Sequence, residues 1–157
     1  MPRNLSVTAK RAIFDQFTDE VFLLLLKIEH SDLPAPILLV QGFEEVNHNG
    51  ETYIPFPFKI GLPNQHSDQL SRVTLLIDNI DRAILFAIRQ ITTPPSVSLN
   101  IVLASDPETV EAGPFLFTWR ETTYTSAILE AKLDFEDTLN EQFPAASFTP
   151  SRFPALF

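Results

Sequence analysis

The stretch VFLLLLKIEH, from Val21 to His30, constrains the fold of this chain more than any other. Val21, Leu23 and Leu25 alternate with Phe22, Leu24, Leu26 and Ile28, so an extended backbone turns apolar side chains to both of its faces. A half-solvated sheet has no place for such a strand. It must lie at the centre of a core or be covered by another chain. The apolar part, Val21 to Leu26, is far shorter than the roughly 20 residues a membrane helix needs. The opening MPRNLSVTAKRAIFDQF carries charges and lacks the apolar core and small-residue cleavage site of a signal peptide. A protein made and kept inside a cell, with no membrane contact, is the expectation.

The rest of the chain continues the strand pattern. Ser6 to Phe17 predicts a short helix, with Ser6 as N-cap and Ala9, Ala12, Ile13 and Phe17 near one face. ILLVQG predicts a short strand. FEEVNHNGETYIPFPF predicts a hairpin, because Asn49-Gly50 suits the two positive-φ positions of a type I′ turn. Pro55 and Pro57 in its returning arm cannot donate to a ladder and mark an edge or a bulge. Val73, Leu75 and Ile77 alternate as a strand, and Asp81 caps a helix from Arg82 to Ile91 that TTPP stops. Val97, Leu99, Ile101 and Leu103 alternate in SVSLNIVLAS. DPETVEAGP reads as an acidic loop, followed by strands FLFTW and AILEAKLDF. The sum is six to eight strands, mostly antiparallel, with two short helices. The fold class is mainly β (α+β), a compact antiparallel β-barrel or sandwich with an extended C-terminal tail. Residues 1–139 form the barrel or sandwich domain and residues 140–157 the arm.

Composition excludes several functions. The formal net charge of −9 in 157 residues argues against a nucleic-acid partner, since binding phosphates needs clustered Lys and Arg. The chain has no cysteine, which rules out disulfides, thiolate nucleophiles and cysteine-ligated iron–sulfur clusters. With four glycines, a phosphate-cradling loop is hard to build.

Each candidate for chemistry has a plainer reading. Asp78, Asn79 and Asp81 offer hard oxygen ligands, yet lack the calcium-loop pattern and read as a turn and a helix cap. Asp134, Glu136, Asp137 and Glu141 read as a solvated face rather than an acid–base pair. His30, His48 and His66 have no second ligand at zinc spacing and read as exposed polar side chains. Trp119 and Tyr124 could stack a ligand, but a lone Trp ending an alternating strand reads as core or interface. No catalytic set, cofactor site or metal site emerges, so the expectation is a non-enzyme.

The closing NEQFPAASFTPSRFPALF carries Phe143, Phe148, Phe153 and Phe157 among Pro144, Pro150 and Pro154. The rings recur after five, five and four residues, which fits neither helix nor strand period. Proline holds such a segment near extended geometry and limits its entropy when free. Each ring therefore predicts a pocket of its own, on the same domain or on a neighbouring subunit, and the neighbour is favoured because aromatic anchors dominate interfaces. These seven residues are the predicted partner-binding set.

The stretches RNLSVTAKRAIFDQ, RVTLLIDNIDRAI, LASDPETVEAGPF and FEDTLNEQFPAASFTPSRFPALF, taken in order, resemble a domain-of-unknown-function family of short proteins encoded among the tail genes of long-tailed bacteriophages and prophages. The resemblance runs nearly end to end. It implies a minor tail protein at the tail tip or baseplate of the virion, assembled in the host cytoplasm. It also implies partners in other tail proteins, at the tube end and the hub, and a homo-oligomeric ring joining the two. An acidic chain would suit a lumen through which DNA passes, since like charge discourages sticking. A tail-assembly factor or chaperone absent from the mature virion is the alternative. A carbohydrate-binding or hydrolytic tip protein is disfavoured by the missing catalytic set and by only two Tyr and one Trp.

Overall fold

The computed structural model describes residues 5–61, 72–78, 86, 88, 90–125 and 128–135. A helix, α1 (Val7–Phe14), precedes nine strands: β1 (Phe22–Glu29), β2 (Ile37–Val40), β3 (Val46–His48), β4 (Glu51–Pro55), β5 (Phe58–Gly61), β6 (Arg72–Asp78), β7 (Ser96–Leu103), β8 (Val110–Tyr124) and β9 (Ile128–Phe135). The strands form one sheet in the order β3-β4-β2-β1-β7-β8-β9-β6-β5. Neighbours are antiparallel except β2 and β4, which run parallel through Leu39↔Ile54 and Val40↔Pro55. The protein is mainly β as expected, but its sheet is mixed, open and richer in strands than the sequence suggests. The expected acidic loop DPETVEAGP ends early, because β8 already begins at Val110.

Three irregularities in β8 bend the sheet. Glu111 is extra between the pairs Val102↔Val110 and Ile101↔Ala112. Gly113 and Pro114 together oppose Asn100. Arg120 is extra between Trp119↔Leu133 and Glu121↔Lys132. Each added residue increases local twist and bends its strand, so a 15-residue strand with three of them curls the whole sheet. Gly113 sits at one of them with φ of 122°, a region glycine alone enters readily.

The curl nearly closes a barrel. β4 and β5 lie near opposite ends of the strand order, yet only Phe56 and Pro57 separate them in sequence. Three Cα steps span at most about 11 Å, so the ends of the sheet must approach one another. The link touches both sides: Phe56 N–H donates to the Val40 carbonyl at 3.0 Å, and the Pro57 carbonyl accepts from Asp78 N–H at 3.1 Å. No ladder continues across it, because Pro55 and Pro57 have no N–H to give. The expected antiparallel barrel or sandwich is therefore corrected to a single curled, mixed sheet with an open seam, where the prolines interrupt the ladder. They mark a break as anticipated, although Pro55 pairs with Val40 inside the sheet and, of β4 and β5, it is β5 that is an edge strand.

Both faces of β1 are filled from within the chain. Leu26 and Ile28 join the main core, with Val73, Leu75 and Ile77 of β6, Trp119 of β8 and Leu129 and Leu133 of β9. Leu25 joins a second cluster with Val40, Tyr53 and Val102, flanked by Leu23, Val46 and Val110. The β3–β4 hairpin covers that second face. Asn49 (φ 51°) and Gly50 (φ 79°) make the expected type I′ turn. Its tip is clamped to the β7–β8 connection: His48 Nδ1 lies 2.7 Å from the Pro107 carbonyl, and Asn49 N–H donates to Glu108 Oε2 at 2.9 Å.

Ser6 caps α1 as expected, accepting from Ala9 N–H at 3.0 Å. The helix stops at Phe14, and while Ala9 and Ala12 are buried, Ile13 and Phe17 of the expected inner face are exposed. α1 is the one helix whose bounds the described residues define, in place of the two expected. Within the second expected helix, Arg82 to Ile91, Phe86 and Ile88 are helical while Gln90 and Ile91 are not. The rest of that helix, and the arm with Phe143, Pro144, Phe148, Pro150, Phe153, Pro154 and Phe157, lie outside the described residues.

Candidate functional site

The open seam creates a concave feature. Where the ladder fails between β4 and β5, a groove of about 570 Å³ opens. That falls within the roughly 300–1,000 Å³ usual for binding sites. Its floor is the Pro55-Phe56-Pro57-Phe58 link. Phe58 is buried in the main core and Phe56 is half-buried against it, which anchors the link to the core. One wall is the turn after β2, where Gly42 N–H bonds the Val40 carbonyl at 3.1 Å and Phe43 projects fully into solvent at 101% exposure. Leu76, Asp78 and Ile128 form the other wall, at the end of β6 and the start of β9. Gln41, Lys59 and Asp78 put a few polar groups at an otherwise apolar site. The lining is mostly proline, aromatic and aliphatic side chains with a sparse polar rim.

A second exposed apolar region lies around α1. Val7, Ile13, Phe14, Phe17 and Val21 are all largely exposed, Phe14 at 86% and Phe17 at 89%. The periodicity of α1 missed this, because only its two alanines face inward.

An electrostatic cluster sits beside the second core. Lys27 Nζ donates to Glu51 Oε1 at 2.7 Å and meets Glu29 Oε1 at 3.0 Å. Hydrogen bonding to Glu51, then Glu29, pushes the Lys27 ammonium up to about 12. Burial, followed by the Glu51 charge, raises the neighbouring Tyr53 phenol. The cluster staples β1 to β4 over the rim of the hairpin.

The other residues singled out from sequence do not converge. His48 is 4% exposed and packs edge-on against Tyr53 with ring centroids 6.1 Å apart. His30 Nε2 is 2.6 Å from Thr93 Oγ1, and its Nδ1 accepts from Asp32 N–H at 3.0 Å. The expectation of exposed histidines fails for His48 and for the largely enclosed His30 side chain, because each ring bridges two loops. His66, Asn79, Asp81, Glu136, Asp137 and Glu141 lie outside the described residues. Asp78 ends β6 at the groove, and Asp134 lies 3.6 Å from Arg120 Nε. Trp119 is core, 2% exposed, and donates from Nε1 to Thr122 Oγ1 at 2.8 Å, while Tyr124 is exposed farther along β8. The two form no platform. Among the described residues, no group of three or more His, Asp or Glu side chains is placed to hold a metal. No described helix is long and apolar enough to cross a membrane.

Fold and groove together define a mainly β protein built on one curled, open sheet with an apolar cleft at its seam. Residues 8–148 match the family described as Domain of unknown function (DUF1833), and the chain belongs to that family. The match takes in α1 from its second residue, every described strand and the first half of the Phe-Pro arm, through Phe148. No curated protein matches the chain.

Proposed function

We propose that this protein is a structural, non-enzymatic subunit of a bacteriophage tail tip or baseplate, one of a ring of copies that joins the tail tube to the hub. The observation that carries the reading is the exposure of large apolar side chains at the end of α1, just after it and in the turn after β2, outside a well-packed core. Phe14, Phe17 and Phe43 are each more than four-fifths exposed. Exposed apolar surface of this kind marks contact with other proteins. The near end-to-end resemblance to tail-gene proteins supplies the setting. The Phe-Pro arm supplies a connector to a neighbour, with burial of each ring worth roughly 1.5–3 kcal/mol. An assembly factor would share these surfaces but leave the finished particle.

Particles assembled with a chain lacking residues 142–157 provide the test. The expected result is that full-length protein is found by mass spectrometry in purified virions, while the truncated chain folds, judged by circular dichroism, yet is not incorporated. Absence of the full-length chain from purified virions would sink the structural reading in favour of the assembly factor.

A further inference from the structure

We propose that α1 of one copy of this chain docks against the turn after β2 of a second copy, held by opposite charges set around exposed aromatic rings. The contact deepens the structural-subunit reading and rests on it, since it names the surfaces through which copies in a ring would meet.

The first surface is the outer face of α1. The helix gives its own sheet only small side chains, Ala9 and Ala12. Lys10 and Arg11 stand four and three residues before Phe14, so the three share the opposite face. Both cations are exposed, and Phe14 keeps 86% of its surface in solvent. Elsewhere Lys27, Arg120 and Lys132 each meet a carboxylate. Lys10 and Arg11 make no ion pair among the described residues, even with Asp15 just beyond the helix. Two open cations around a solvated ring, in a chain of net charge −9, ask for an acidic and apolar partner.

The second surface has that chemistry. Phe43 in the turn after β2 is fully exposed, and the two residues that follow it, Glu44 and Glu45, are exposed as well. Neither glutamate makes an ion pair among the described residues. A basic aromatic patch and an acidic aromatic patch therefore stand open on one chain. They do not meet each other within that chain, because Phe14 and Phe43 both remain in solvent. The segment 136–157 answers the acidic turn poorly, since it carries Glu136, Asp137 and Glu141 against one cation, Arg152. A second copy answers both patches at once. Its turn brings two carboxylates to the helix, and its helix brings two cations to the turn. The rings supply the apolar burial, and the charges choose the partner.

Charge reversal in the full-length chain tests the contact, with circular dichroism to verify the fold. Every substituted position is exposed. Lys10→Glu/Arg11→Glu makes both patches acidic, and Glu44→Lys/Glu45→Lys makes both basic. Each variant alone should self-associate about tenfold more weakly or worse in sedimentation velocity, because like charges then face one another. An equimolar mixture of the two should recover the association, as should a single chain carrying all four changes. Raising the salt to about 1 M, where the Debye length is about 3 Å, should weaken the unsubstituted chain and the mixture alike. Self-association that ignores either reversal, or a mixture that does not recover, would overturn the proposal. An unsubstituted chain that stays monomeric at every concentration would overturn it too. The α1 face then belongs to the chain's own arm if deleting residues 136–157 speeds hydrogen exchange in residues 7–14, and to a different protein if it does not. The two levels separate cleanly: oligomers indifferent to these charges sink this contact and leave the structural reading standing. Recovery in the mixture, from a chain missing from virions, does the reverse.

Discussion

Leu25 and Leu26 are neighbours on β1, 1% and 0% exposed, and they enter different cores on opposite faces of the sheet. If the β3–β4 hairpin of the same chain covers the outer face, Leu25→Ala and Leu26→Ala must both destabilise the isolated monomer. Truncating a buried Leu to Ala removes roughly 2–3 kcal/mol of transfer free energy, and the residual cavity brings the total to about 2–5 kcal/mol. Leu25→Ala should fall at the lower end, since its cluster is small and can collapse. Leu26→Ala should fall at the upper end, within the larger core. At about 2–4 °C per kcal/mol for a domain of this size, melting temperatures should drop by roughly 4–20 °C. Urea titration at protein concentrations low enough to keep the chain monomeric measures both effects. A third substitution sharpens the test. His48→Ala loosens the hairpin clamp, so its cost should be less than additive with Leu25→Ala and close to additive with Leu26→Ala. If Leu25→Ala shifts monomer stability by no more than about 0.5 kcal/mol, the outer face is not covered in the monomer, and the reasoning fails.

Two further expectations concern the bend in β8 and the alkaline limit of stability. A Cβ on Gly113 would meet the Leu99 carbonyl at 2.8 Å and Asn100 Oδ1 at 2.9 Å, at a φ of +122°. Gly113→Ala should therefore cost at least about 1–3 kcal/mol in a urea midpoint, and an unchanged midpoint would mean that the bulge is not needed in this form. Lys27 has its pKa raised from 10.5 to about 12, so its contribution is complete below 10.5 and fades as pH rises through about 12. Tyr53 is also raised, from 10.0, and its burial is likewise lost on the alkaline side. Lys27→Met should flatten the fall in stability over that window by about 1 kcal/mol or less, as befits a partly exposed ion pair. An identical alkaline profile in the variant would show that the Glu51 and Glu29 contacts contribute nothing.

The local elements were legible in the sequence because local rules govern them. Alternation over Val73–Ile77, Val97–Leu103 and Leu129–Leu133 has the period of a pleated strand. Asn49-Gly50 needs no tertiary partner to favour a type I′ turn, and Ser6 caps a helix with an atom three residues away. The Phe-rich arm and the two prolines near residue 56 also stood out, since both conflict with regular structure.

Closure depended on distant partners. Whether the sheet would shut into a barrel was decided by three extra residues in β8 and by a two-residue link that must hydrogen-bond both β2 and β6. No local pattern marks such residues as bulges, because a bulge exists only against the strand opposite. His48 read as an exposed turn residue and became a clamp, since the Pro107 carbonyl that receives it lies 59 positions away. Phe43 and the groove escaped notice for the same reason: a cleft between chain segments has no sequence period. The apolar strand from Val21 was the clearest sign of a covered sheet, with two possible coverings. Only the register of the sheet and the reach of the hairpin decided that this chain covers itself there.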